Sequence, residues 1–88
     1  MAMTAQLETL EQNVRDFVVT NFLFGEAGGL QPDDSFLENG IIDSTGVLEL
    51  VGHLEQTYQI QVKDNELVPA NLDSIRKVAS FVQRKLEG

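Results

Sequence analysis

Few side chains in this chain could do chemistry: a serine beside an aspartate at Asp43–Ser44, a single histidine, His53, and a scatter of carboxylates. A hydrolytic triad needs a nucleophile, a base and an orienting group in contact. Ser44 and His53 are nine residues apart, about 13 Å along the axis of one helix, so they cannot touch. His53 is therefore expected to be a surface residue, neither a base nor a metal ligand. The acidic stretch Asp33 to Glu49 contains Gly40 and invites a calcium-loop reading. Placing Gly40 at loop position six puts Leu37 at position three and Gly46 at position twelve, where ligands are required, so the pattern fails. No glycine-rich phosphate loop carries a lysine. The absence of cysteine excludes disulfides and thiolate metal sites, so any thiol must come from a cofactor.

Charge narrows the partners. The net charge is -8, and no Lys or Arg occurs between Arg15 and Lys63. That interval holds Asp16, Glu26, Asp33, Asp34, Glu38, Asp43, Glu49 and Glu55. Such a surface repels nucleic acid and anionic lipid and attracts proteins with basic patches. The sequence opens without a basic segment followed by an apolar run, and no stretch is long enough to span a bilayer. The expectation is a soluble cytoplasmic monomer with no nucleic-acid partner and no membrane insertion.

The elements that must position Ser44 follow from periodicity. With 88 residues and 42% apolar content, one folded domain, 1–88, is expected. Leu7, Leu10, Val14, Phe17, Val18 and Phe22 share one helix face, which predicts helix one over about 4–23 with Thr4 as N-cap. A long connection, about 25–42, carries Gly25, Gly28, Gly29 and Pro32. Phe36, Leu37, Ile41 and Ile42 should anchor it to the core. Helix two is predicted over about 44–58, burying Val47, Leu50, Val51, Leu54 and Tyr58. Its opposite face presents Thr45, Leu48, Glu49, Gly52 and Gln56, with Glu55 at the border. A short helical turn, about 64–67, should end at Pro69. Asn71 is a good N-cap for a last helix over about 72–86, burying Leu72, Ile75, Val78, Ala79, Val82 and Leu86. Ile60 and Val62 alternate too briefly for a strand. The first residues and Gly88 are expected to fray. The fold class is all-α: a small bundle of three main helices plus one short helix, with a long loop between helices one and two.

The segment Gly40–Ile41–Ile42–Asp43–Ser44–Thr45–Gly46–Val47–Leu48–Glu49–Leu50–Val51 resembles the acyl carrier protein family, including its aminoacyl and D-alanyl carriers. The likeness extends over nearly the whole chain in helix order and loop lengths. It implies that the Asp-Ser pair opens helix two and that Ser44 receives phosphopantetheine from coenzyme A. It also implies a carrier and not an enzyme: a substrate of a phosphopantetheinyl transferase, an adenylate-forming acyl or aminoacyl ligase, and downstream acyl-transfer or condensing enzymes. Thr45, Leu48, Glu49, Gly52 and Glu55 match the docking positions of the family. Thr45 stands where leucine usually follows the serine. Ile41–Ile42 stand where fatty-acid-synthesis carriers often have Gly-Ala. The Gly-Ile-Ile-Asp-Ser form looks more like stand-alone carriers loaded by a ligase.

Helix physics agrees. Asp43 at the N-cap can accept from the Thr45 or Gly46 N–H. A phosphodiester on Ser44 would then meet free N–H groups and the positive helix end. Gly46 is expected to leave room for a partner. A cargo entering the bundle would meet Val47, Leu50, Val51 and Leu54, with Phe36, Ile60 and Val62 nearby. The rival reading is an unmodified acidic adaptor that binds a basic protein through helix two.

Overall fold

The structure is a computed structural model that describes residues 2–25 and 28–87. It is all helical among those residues. Helix α1 (Ala2–Phe22) is followed by the long connection, then α2 (Ser44–Tyr58), a single 3-10 turn (Asp64–Glu66), α3 (Pro69–Leu72) and α4 (Ile75–Glu87). Met1, Glu26, Ala27 and Gly88 lie outside the described residues, and with them the expected fraying at Met1 and Gly88.

Helix α1 runs back past Thr4 to Ala2, so Thr4 is inside the helix and not its cap. Ala2 and Met3 are good helix formers and nothing stops the helix there. At the other end Phe24 and Gly25 take positive φ, which terminates it. Leu10, Val14 and Val18 are buried, with Leu7, Phe17 and Phe22 packed at the margin. Helix α1 packs chiefly on α4, whose Ile75, Val78, Ala79, Phe81 and Val82 are buried. Leu86, expected inside, is exposed, and Phe81, not expected, is buried in its place. Ile75, Val78, Ala79 and Val82 keep the expected inward face of the last helix, which starts at Ile75.

The start of α4 is the clearest departure from expectation. Pro69 does not merely end the preceding turn; it opens α3 at a position where its missing N–H costs nothing. Asn71 sits within α3 and caps nothing. Its amide donates to the Glu66 carbonyl and its oxygen accepts from Arg84. Ser74 begins the last helix instead, its Oγ accepting from the Lys77 N–H at 3.1 Å. The 3-10 turn is tied to α4 through Glu66, which binds Lys85 Nζ at 3.0 Å. The Lys63 backbone N–H and the Lys85 ammonium together hold the Glu66 carboxyl below its usual range.

The long connection is fastened at two points. Midway along it, Arg76 donates to Asp33 at 2.6 Å, and the Arg76 N–H bonds the Pro32 carbonyl at 2.9 Å. Further on, Asp73 accepts from the Ser35 hydroxyl and from the Leu37 N–H at 2.9 Å, and its carbonyl accepts from the Phe36 N–H at 2.8 Å. Phe36 and Ile42 are buried as expected, and Leu30, which is not among the expected anchors, is buried as well. Leu37 stays exposed. Ile41 is half-buried. The loop is thereby delivered to Asp43 in a fixed position.

Candidate functional site

The site is the N-terminal end of α2. Asp43 has extended backbone and its Oδ1 accepts from the Gly46 N–H at 2.7 Å, so it is the N-cap the sequence indicates. Ser44 is the first helical residue and is exposed. Its N–H and that of Thr45 belong to the first turn, where no intrahelical partner exists. An anion on Ser44 therefore meets peptide dipoles aimed at it.

Gly46 corrects an expectation. It is buried, and a Cβ there would lie 2.8 Å from the Phe22 ring and 2.9 Å from Ile42 Cγ2. Gly46 makes no room for a partner. It lets α2 approach the end of α1, and this sets where Ser44 stands. The Phe22 ring meets Phe17 edge-on at 6.0 Å, and Phe17 stacks on His53 at 4.0 Å. A row of rings thus joins α1 to α2 beside the site.

His53 is consequently not a plain surface residue but a half-buried packing group. Burial holds its pKa below the ordinary imidazole value. Below about pH 6.5 the unfolded chain then binds more protons than the folded one. Stability contributed by His53 is full above that pH and declines as the pH falls toward the depressed folded value. The melting temperature should fall on acidification from about pH 7 to pH 5.5, less steeply in His53→Gln. Equal slopes in both proteins would show that His53 does not contribute.

The outward face of α2 matches expectation at most positions. Thr45, Leu48, Glu49, Gly52 and Gln56 are exposed, Leu48 to 60%. Glu55 differs: it is half-buried and its carboxylate accepts from the Val62 N–H at 2.9 Å, fixing the segment after α2. The sequence could not show this, because the contact depends on how the chain folds back after Gln59.

An apolar cleft of about 290 Å³ opens beside Ser44. Leu37, Val47, Leu48, Leu67, Val68 and Leu72 line much of it. Of the expected cargo-lining residues only Val47 takes part. Leu50 and Leu54 are fully buried in a packed core with Phe36. Nothing in the sequence marks Leu67, Val68 and Leu72 as a lining, because the cleft forms only where α3 turns back toward α2. No group of three or more His, Asp or Glu among the described residues is placed to hold a metal. No helix among them is long and apolar enough to cross a membrane.

An exposed serine on a dipole-favoured helix end, beside an apolar cleft and far from the one imidazole, suits a modified carrier rather than a catalyst. The sequence matches the family described as "Phosphopantetheine attachment site" over residues 23–82, a span that includes Asp43–Ser44. It is 32% identical over 75 residues to a probable acyl carrier protein, PigG, of Serratia sp., covering 85% of this chain and 86% of that one. It is 34% identical over 65 residues to the D-alanyl carrier protein of Leuconostoc mesenteroides, covering 74% of this chain and 83% of that one. The chain belongs to the phosphopantetheine-binding carrier proteins. Its cofactor is covalently attached phosphopantetheine, and it is a carrier and not an enzyme. The adaptor reading gains no support from these relatives.

Proposed function

We propose that Ser44 is the attachment point and that the chain carries a short acyl or aminoacyl group as a thioester. The observation that supports this reading is the placement of Ser44: exposed, first in α2, and on the rim of the cleft. In the priming step Ser44 Oγ forms a bond to a coenzyme A phosphorus. The pyrophosphate P–O bond breaks, 3′,5′-ADP leaves, and the serine proton passes to a base on the transferase. When bound, the group supplies the terminal thiol that this cysteine-free chain lacks. Asp43 positions the serine through its cap and takes no part in the transfer.

The residues fit the arm. The phosphate end meets the first-turn N–H groups, and the apolar cleft offers a surface to the rest of the arm. Its size bears on cargo: about 290 Å³ is roughly twice the ~150 Å³ cavity that holds benzene. A long chain would have to displace the packed core of Leu50 and Leu54, though each buried methylene returns about 0.8 kcal/mol. The Ile41–Ile42–Asp43 form supports loading by an adenylate-forming ligase. Thr45, Leu48, Glu49 and Gly52 form the docking face, with Glu55 contributing charge behind it. Exposed ion pairs contribute only about 0.2–1 kcal/mol each, so docking is weak and salt-sensitive, as release after each transfer requires.

The test is intact mass after incubation with coenzyme A and a broad-specificity phosphopantetheinyl transferase. One added phosphopantetheine, mapped to the Ser44 peptide, is the expected result. No gain, or a gain mapped elsewhere, overturns the assignment. The holo chain is then offered to adenylate-forming ligases and to a malonyl transferase. Efficient loading by the malonyl transferase alone overturns the ligase reading.

A further inference from the structure

We propose that Phe24 is a docking contact for the phosphopantetheinyl transferase, its ring seated in an apolar pocket beside that enzyme's coenzyme A site. The proposal rests on Ser44 being the residue modified. Phe24 is 90% exposed, the most exposed large apolar side chain among the described residues. A lone exposed apolar residue needs no explanation. Phe24, however, also has φ of 55°, a left-handed conformation unfavourable to any side chain with a Cβ. Glycine at this position would remove both costs. The left-handed turn itself belongs to the end of α1, as Gln59 at φ 58° ends α2, but that turn makes no use of an exposed aromatic ring.

The backbone under the ring is held and not loose. The N–H groups of Leu23 and Gly25, on either side of it, both donate to the Val19 carbonyl, at 3.2 and 2.8 Å. Its place in the molecule follows from Phe22. That ring packs against Gly46, two residues beyond Ser44, so Phe24 leaves the bundle at the Ser44 end.

The occupant follows from the chemistry at Ser44. An enzyme that acts on the distal thiol can stand off by the length of the arm. The transferase joins phosphorus to the serine oxygen itself, so its surface must close on this end of the bundle. A site that binds the coenzyme A phosphates is cationic. The chain opposite it has no Lys or Arg from residue 16 to residue 62. A second copy of this chain, at net charge -8, is repelled by the same surface, and so is an anionic membrane.

The test uses the apo chain, saturating coenzyme A and a broad-specificity phosphopantetheinyl transferase, with Phe24→Gly and Phe24→Leu. Phe24→Gly should raise the KM for the carrier on the order of tenfold, as loss of an aromatic anchor does. Its kcat should be unchanged and its melting temperature unchanged or higher, since the strained φ is relieved. Phe24→Leu should restore most of the KM. A KM for Phe24→Gly within about twofold of wild type overturns the proposal. So does a lower melting temperature in Phe24→Gly that Phe24→Leu reverses, which would make the ring structural. If wild type gains no phosphopantetheine at all, the Ser44 assignment fails and takes this proposal with it. Equal uptake by wild type and Phe24→Gly removes Phe24 alone.

Discussion

Ser44→Ala should abolish phosphopantetheine uptake completely while leaving stability within about 0.5 kcal/mol of wild type. The two effects separate because Ser44 is exposed and the cap bond beside it does not use its hydroxyl. The cap belongs to Asp43, which holds the Gly46 N–H whether or not residue 44 has a hydroxyl. Alanine is also tolerated in the first helical turn. Asp43→Ala gives the reverse pattern. It should cost about 1 kcal/mol through the lost cap and slow the modification without preventing it. Intact mass and thermal melting of the two variants decide the matter. Residual uptake in Ser44→Ala would place the attachment elsewhere. A large loss of stability in Ser44→Ala would make the serine structural.

The second large effect is expected at Asp73. Asp73→Ala should destabilise the fold by about 2–3 kcal/mol, since hydrogen bonds to a charged group are among the stronger ones. The carboxylate receives the Ser35 hydroxyl and the Leu37 N–H, and each loses its partner in the variant. At this chain length that is a fall in melting temperature of about 10–20 °C. Asp73→Asn keeps an acceptor and should lose roughly half as much. The backbone bond from Phe36 to the Asp73 carbonyl survives in both. Backbone amide exchange of residues 35–39 should rise in Asp73→Ala more than that of α1. A loss below about 1 kcal/mol would mean that burial of Phe36 and Ile42 holds the loop without the carboxylate.

Asp73 also marks where the sequence ceases to be legible. The faces of α1 and α2, and Asp43 and Ser44 at the start of α2, are written in spacings of three and four and in a cap beside its helix. Those signals are local, and the structure places the two helices and the cap accordingly. By its neighbours alone, Asp73 is a favourable acid in the first turn of a helix. Its actual partners lie 36 and 38 residues away in the connection. Gly46 likewise suggests open space, because the ring that fills it comes from α1. Glu55 has the pattern of a border charge on α2, and only the chain after Gln59 brings the Val62 N–H against it. Pro69 has the position of a stop, although a proline serves equally well at the start of a helix. Asp73 and Gly46 take their roles from partners distant along the chain and Glu55 from the irregular turn after α2, and neither periodicity nor propensity carries that information.

The pairing of α1 with α4 has a consequence for how the protein is made. The two helices are each other's main packing partners, yet residues 23–74 lie between them. Translation at about 5–20 residues per second puts roughly 3–10 seconds between the end of α1 and the start of α4. Throughout that interval Leu10, Val14 and Val18 lack the helix that mainly covers them. The nascent chain therefore offers a greasy amphipathic helix to the ribosome-associated chaperones well before it can hide it. Substitutions that thin the α1 stripe should change yield in the cell more than they change the melting temperature of the purified protein.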